Sequence, residues 1–253
     1  MLIESKDNKI IKYIIKLQDV KYSIIENKTL VESPKLIIDL INNGIEIDYI
    51  LISSDIKDKY LDYGFDKYKI IEITPKLAKL VSNTETTTGV FAVVSIPKNK
   101  KLNSNYLVLD NLQDPSNLGA ILRSAVAFNF KNVILINSCY PYSMKVSRSS
   151  MGNNFKCNLI KMQIEELFKF IKEDNIHLIS CDINGNDIKN SRPTKNNFAI
   201  IIGNEGRGIS KELKDASNEI IKIPMDVTVE SLNASVSAGI IMYHYNNLIK
   251  EGK

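Results

Sequence analysis

The residues with the most chemical potential lie in three segments of the C-terminal half. The first, DNLQDPSNLGAILRSA from Asp110 to Ala125, leaves an apolar run, crosses a polar turn and enters a stretch that is apolar or small almost all round, with Arg123 in its middle. A guanidinium inside an otherwise buried helix must keep its hydrogen bonds and so needs an anion. That anion is either an internal carboxylate such as Glu205 or Glu230, or a phosphate or developing oxyanion on a substrate, and the segment alone leaves both open. The second, FAIIIGNEGRG from Phe198 to Gly208, runs an apolar strand straight into three glycines. Glycine lets backbone approach a ligand closely and adopt positive φ. The spacing is G-x-x-G-x-G, late in the chain, which fits neither the G-x-G-x-x-G dinucleotide turn nor a P-loop. In the third, Ile220 to Met225 reads as a buried strand, and Val229 to Gly239 as a polar loop entering a helix opened by Ser231 and Asn233. The first N–H groups of such a helix can receive a carboxylate. Ala234, Ser235, Ser237, Ala238 and Gly239 then allow another backbone to come close, either within the domain or across a subunit interface.

Other chemistries lack raw material. Cys139, Cys157 and Cys181 are widely spaced with no C-x-x-C pair, which argues against a disulfide framework and a zinc site and for a reducing, cytosolic compartment. His177 and His244 are isolated, so neither a histidine base nor a metal cluster is expected. The longest apolar runs, such as Val133 to Ile136 and Ala199 to Ile202, fall far short of the roughly 18 residues that span a bilayer. The N-terminus has no secretory signal pattern. A net charge of +4 is compatible with a nucleic-acid partner.

These segments need a scaffold, and 253 residues suffice for two domains. Lys9, Lys12 and Lys16 alternate with isoleucines at helical spacing, giving a basic stripe that reads as a solvated face or an RNA contact. Ser33 and Pro34 start a helix to residue 43; strands at 47–52, 70–73 and 90–96 and a helix at 75–81 complete an N-terminal α/β domain, 1–97. The polar run 98–105 is the linker. The second domain, 106–253, alternates strands (106–110, 133–136, 177–182, 198–202, 220–223) with helices (118–128, 164–173, 210–216, 233–248), an α/β domain with a parallel sheet.

In this order NLQDPSNLGAILRSA, IIIGNEGRGIS and IPMDVTVESLNASVSAG are similar to the three motifs of the SpoU (TrmH-like) family of RNA ribose 2′-O-methyltransferases, in the SPOUT superfamily. Residues 18–97, including LVESPKLI and SNTETTTGVFAVV, resemble that family's substrate-binding domain of ribosomal-protein L30e type; Ser33 departs from it, standing where that domain often has glycine. The resemblance implies a deep trefoil knot in the second domain, and a homodimer with its active site at the interface. It also implies S-adenosylmethionine as methyl donor, bound at Gly203, Ile223 and Leu232 with Ile202 and Met225 beside them, and no metal. Asn117, Arg123, Glu205, Ser231 and Asn233 match the positions the family uses for catalysis or for shaping its site. Lys145 and Arg148, in the loop-like YSMKVSRSSMG, become candidate contacts to the RNA backbone. By analogy with members carrying this N-terminal domain, the expected substrate is large-subunit ribosomal RNA, with transfer RNA or a non-catalytic RNA-binding role as alternatives.

Overall fold

The computed structural model describes residues 2–100, 105–192 and 197–251. The chain forms two compact units, Met1–Lys98 with Tyr142–Phe155, and Asn99–Pro141 with Lys156–Lys253. The division falls within the stretch read as a linker, of which 101–104 lie outside the described residues.

The first unit contains β1 (Leu2–Ile3), α1 (Lys9–Leu17), α2 (Val20–Glu26), β2 (Lys28–Glu32), α3 (Pro34–Asn42), β3 (Ile47–Ser53), β4 (Ile70–Ile73), α4 (Pro75–Val81) and β5 (Val90–Ser95). Its mixed sheet has the order β1-β4-β3-β5-β2, with β5 antiparallel to both neighbours. In α1 the isoleucine spacing buries Ile11, Ile14 and Leu17, and the Asn8 side chain accepts from Ile10 N at the first turn. Those residues meet Leu51, Phe91 and Val93 of the sheet and Leu77 and Val81 of α4 in one core.

The second unit contains β6 (Tyr106–Asp110), α5 (Pro115–Ala127), β7 (Asn132–Ile136), β8 (Asn158–Lys161), α7 (Ile164–Glu173), β9 (His177–Asp187), β10 (Phe198–Ile202), α8 (Lys211–Asp215), β11 (Glu219–Lys222) and α9 (Ala234–Glu251). Its six strands are all parallel, in the order β11-β9-β10-β6-β7-β8. The central strands β6 and β10 are buried throughout, as continuous apolar runs covered on both faces should be. Tyr106, Val108, Ala199 and Ile201 pack with Leu167 of α7 and Leu213 of α8, while Phe198, on the opposite face, packs its ring on Tyr245 of α9. No helix among the described residues is long and apolar enough to cross a membrane.

Strands β1, β2 and β8 and helix α2 add to the expected elements, and two further segments differ from the expectation. The segment read as a loop, YSMKVSRSSMG, contains a helix, α6 (Met144–Ser149), whose N-cap Ser143 accepts from Val146 N. Six residues are too few for an apolar period to stand out. This helix belongs to the first unit: Met144 joins that unit's core, and Thr29 Oγ1 donates to the Tyr142 carbonyl at 2.7 Å. Strand β9 continues to Asp187 rather than ending at Asp182, because a bulge between Ile220 and Ile221 lets β11 follow its polar half. There Gly185 is required, since a Cβ on it would lie 2.5 Å from the Ile221 carbonyl carbon.

The Ser33 side chain makes no cap hydrogen bond to α3, and its φ is +122°. That backbone conformation is one glycine reaches freely and a β-carbon opposes, which gives a physical reason for the glycine often found at this place in similar domains. Ser33→Gly is therefore expected to stabilise the first unit by about 1 kcal/mol, read as a higher urea midpoint with unchanged slope.

Candidate active site

Strand β6 ends on Asp110, a buried carboxylate that accepts from Ser210 N at 2.7 Å and from Asn111 Nδ2 at 3.0 Å, fastening the ends of β6 and of the segment after β10 to each other. Asp114 then caps α5 by accepting from Ser116 N, and Pro115 fills its first position, so Asn117 falls in the first turn.

Beyond β10 the chain reverses within six residues. A Cβ on Gly203 would lie 2.3 Å from the Gly208 carbonyl carbon and 2.4 Å from Ile209 N, so only glycine fits. Gly208 has φ +68° and pairs with Asn204 in both directions, Asn204 N to Gly208 O and Gly208 N to Asn204 O. The Asn204 side chain fills the reversal: its Oδ1 accepts from Gly206 N and Arg207 N, and its Nδ2 donates to the Asn111 carbonyl at 2.9 Å. Glu205 is thereby turned outward, toward α5.

There the three segments join. Asn233 Oδ1 caps α9 by accepting from Ser235 N at 2.9 Å, which leaves Asn233 Nδ2 to donate to Asn117 Oδ1 at 3.0 Å. Asn117 Nδ2 in turn donates to Glu205 Oε1 at 2.5 Å. Each amide has one sense only, because the cap fixes the first and a carboxylate can only accept from the last.

Beside this relay is a cavity of about 390 Å³. Ile202, Gly203, Ile223, Met225 and Leu232 all line it, and so do Glu205 and Ser231. The sequence did not single out Cys181, Asp182, Ile183 and Asn184, which line it from β9; the only signal was the polar stretch after the apolar half of that strand. Burial pushes the Cys181 thiol up to about 12, with the Asp182 charge adding to it. Burial also pushes the Asp182 carboxyl up, but hydrogen bonds from Lys214 Nζ and Asn184 N outweigh it and hold that carboxyl below its ordinary value.

Arg123 stands elsewhere. The segment's sequence is apolar or small almost all round, yet α5 turns Leu118, Ile121, Leu122 and Ala125 inward and Arg123 to solvent. Among the described residues it has no ion pair, so neither Glu205 nor Glu230 is its partner. Arg148 lies in the first unit, where its Nη1 donates to Asn83 Oδ1 at 3.1 Å and sits 3.9 Å from the buried Glu32 carboxylate. That carboxylate accepts from Ser82 Oγ, Thr87 Oγ1 and Thr88 N. Lys145, on the same helix, is exposed. Among the described residues no group of three or more His, Cys, Asp or Glu side chains could hold a metal ion.

Residues 104–243 match the model of the SpoU rRNA Methylase family, and residues 8–92 match an MRM3-like substrate binding domain. The chain is 31% identical to an uncharacterized tRNA/rRNA methyltransferase of Borreliella burgdorferi, over 79% of this chain and 83% of that protein. It is 26% identical to the Bacillus subtilis 23S rRNA (guanosine(2553)-2′-O)-methyltransferase RlmP, over 96% of this chain and 98% of that one. The fold matches the AdoMet-bound rRNA methyltransferase of Sinorhizobium meliloti with a TM-score of 0.83 at 21% identity, covering 98% of this chain and 97% of that one.

The reversal at Gly203 separates two glycines of one loop. Gly203→Ala is expected to destabilise the second unit by about 3 kcal/mol in urea unfolding, because the contact it meets is backbone that cannot move aside. Gly206→Ala, whose Cβ would meet only Asn204 Oδ1 at 3.7 Å, should stay within about 0.5 kcal/mol of wild type. The raised thiol makes a separate expectation. A thiol near 12 holds its proton at pH 8, so alkylation of Cys181 by iodoacetamide in the folded chain should lag the urea-unfolded chain by about a thousandfold. Its rate should climb as pH rises toward 12, as peptide mapping would show.

Proposed function

The chain belongs to the SpoU rRNA methylase family, and on that premise we propose that it transfers a methyl group from S-adenosylmethionine to a ribose 2′-hydroxyl of large-subunit ribosomal RNA. The observation that carries the reading is the Asn233–Asn117–Glu205 relay beside the cavity, which ties all three sequence segments into one site. The cavity suits the donor: Ile202, Ile223, Met225 and Leu232 supply apolar surface, and the side-chain-free Gly203 supplies close backbone approach. When bound, S-adenosylmethionine supplies an electrophilic sulfonium methyl group.

The chain's own residues then have to align the ribose and manage one proton. Alignment alone can supply about 7 to 11 kcal/mol. In this reading Glu205 and Asn117 hold the ribose side of the site, with Asn233 fixing the sense of both, and Ser231 closes the cavity wall. Arg123 binds the neighbouring phosphate and stabilises the emerging alkoxide; a guanidinium with a pKa above about 12 is suited to that role and not to the role of base.

Arg123 faces solvent on α5 and is in no ion pair among the described residues, which supports a role for it in a neighbouring protomer's site. Val236, Ile240 and Tyr243 are 49%, 39% and 56% exposed on the outer face of α9, while Gly239 faces Ser124 of α5. We assign that apolar face to a homodimer in which the Arg123 of each protomer completes its partner's site. The trefoil knot is part of the same reading, supported by the likeness of the fold to that of the Sinorhizobium meliloti rRNA methyltransferase. Lys145 and Arg148, both on α6 of the first unit, supply contacts to the RNA backbone. An enzyme of ribosomal RNA would work in the cytoplasm.

Labelled methyl transfer into separated ribosomal and transfer RNA, followed by ribose-methylation mapping, tests the reading. Label is expected in large-subunit RNA, with turnover lowered 100-fold or more in Arg123→Ala; label in transfer RNA alone overturns the substrate, and no label in either overturns the activity. Mixed and re-equilibrated Arg123→Ala and Glu205→Ala chains should recover activity that neither has alone, because half the sites of each mixed dimer carry both residues. No recovery on mixing would place Arg123 and Glu205 in the same protomer's site.

A further inference from the structure

The loop that carries Arg207 has a different charge on each side. The cavity assigned to the methyl donor is lined by three carboxylates, Asp182, Glu205 and Glu230, against the single guanidinium of Arg207. A second cavity against the same reversal of chain is lined by Asn111, Gln113, Asn204, Arg207, Gly208 and Ser210, with no carboxylate among them. Asn204, Arg207 and Gly208 line both, so the loop is the wall between them and Arg207 can serve either side.

The second cavity is rich in spare donors. Arg207 is exposed, and its guanidinium has no partner among the described residues; only its backbone N–H is engaged. Ser210 stands at the cap position of α8 without making a cap hydrogen bond, and its hydroxyl is buried with no partner among the described residues. A buried hydroxyl left in that state costs free energy until something meets it. Asn111 Nδ2 donates to Asp110 Oδ1 at 3.0 Å and Gln113 Nε2 to the Asn137 carbonyl at 2.6 Å, and each of these amides keeps a second N–H. The Asn204 side chain is engaged by its own loop and by the Asn111 carbonyl. Asp110 lies buried behind this lining, with each oxygen already accepting a hydrogen bond, one from Asn111 Nδ2 and one from Ser210 N.

Charge decides which ligand meets one cation, one hydroxyl and two spare amide N–H groups. A neutral group, such as a base, would cover the guanidinium without neutralising it, and amides that both donate and accept do not choose among bases. The methyl donor carries an anion of its own, the carboxylate of its methionine end. On the donor's side of the loop, however, Arg207 stands among three carboxylates, which attract the sulfonium and ammonium groups of the donor and repel its carboxylate. A phosphate has acceptor oxygens only, takes donors from several directions, and is met by arginine with two parallel hydrogen bonds. The second cavity supplies those donors with no opposing carboxylate on its lining.

The geometry points to a phosphate subsite in this second cavity, where Arg207, Ser210 and the second N–H groups of Asn111 and Gln113 receive one backbone phosphate of the RNA strand. It lies on the far side of the loop from the methyl donor, and it fixes the strand without reading a base. The assignment rests on the reading of the chain as an RNA 2′-O-methyltransferase, because that reading is what brings a polyanion to this edge of the sheet. A free phosphate ion has the same chemistry, and the test separates the two sources.

Filter binding of an oligouridylate of about 20 nucleotides to the full chain saturated with S-adenosylhomocysteine, repeated across potassium chloride concentrations, reads phosphate contacts without turnover or base specificity. Arg207→Gln and Ser210→Ala should each weaken binding about tenfold. Arg207→Gln should also lower the slope of log K against log salt by about 0.7, the value of one phosphate contact on a single strand, whereas Ser210→Ala removes no charge and should leave the slope unchanged. With one phosphate shared, the double variant should lose well under the roughly hundredfold that independent contacts would give. S-adenosylhomocysteine affinity should be equal in all four chains, which also shows the variants folded. An unchanged slope in Arg207→Gln, losses that multiply in the double variant, or no oligouridylate binding at any salt would each overturn the subsite. So would weaker S-adenosylhomocysteine binding in Arg207→Gln, which would return the guanidinium to the donor's side. Inorganic phosphate binding that is lost in Ser210→Ala while oligouridylate binding stays untouched would overturn the RNA strand as the occupant. The two readings fail separately. The expected slope loss with no methyl transfer to any RNA would sink the activity and leave the subsite, whereas methyl transfer with an unchanged slope would sink the subsite alone.

Discussion

Gly203 lies so close to the Gly208–Ile209 peptide that no side chain fits between them, and the functional edge of the second unit is built around that closure. With the loop shut, Asn204 is trapped as its filling, donating to Asn111 and accepting from two N–H groups of its own loop. Glu205, next in the chain, then has nowhere to go but outward to Asn117. The same closure makes the loop thin enough to serve as one wall for two cavities. A larger residue at 203 would open the reversal and loosen all of these together, since none has an independent anchor on the β10 side.

Sheet topology determines why this happens where it does. From β6 the chain moves outward through β7 to β8, then returns to the other side of β6 to lay down β9, β10 and β11. Strands β6 and β10 are therefore neighbours at the point where the order reverses, and their carboxyl ends diverge into loops that run to opposite faces. Open parallel sheets bind ligands in that crevice. Here the crevice is pinned by Asp110, whose buried carboxylate accepts from both sides of it. The buried carboxylate is tolerable because each of its oxygens is hydrogen-bonded, and removing either donor would leave that oxygen without its partner.

Much of this was legible in the sequence, for reasons that differ by residue. The apolar runs of β6 and β10 identified themselves because strands covered on both faces need no alternation, and Gly203 stood out because it follows such a run directly. The helix of Arg123 was found, but its orientation was misjudged: small residues such as Ala120, Ser124 and Ala127 look apolar on paper, yet in α5 they share the outward side with Arg123. Helix α6 was missed because its caps, Ser143 and the turn near Gly152, carry the signal that six residues of periodicity cannot. The polar half of β9 was missed because its partner is bulged and its pattern follows neither period. What no local pattern could give is the amide relay, since Asn117, Glu205 and Asn233 are joined only by the reversal of strand order.

The composition of the relay bears on how such a site handles a proton. Two of its three members are amides, which neither gain nor lose charge, and the two histidines of the chain are placed for other work. His177 opens β9 at the end of the strand away from the cavity, with its Nε2 3.8 Å from a Glu219 carboxylate oxygen. His244 lies within α9, where burial depresses its protonation. Glu205 is the only titratable member, and its Oε1 is already held by Asn117. A site of this kind is held in shape by hydrogen bonds within the chain, and its two amide members carry no titratable proton. On the function proposed above, its leverage on the reaction is orientation, with charge stabilisation assigned to Arg123 from outside the relay. That proposal divides the work between relay and arginine: the neutral groups specify geometry, and the one permanent charge meets the charge that develops during transfer.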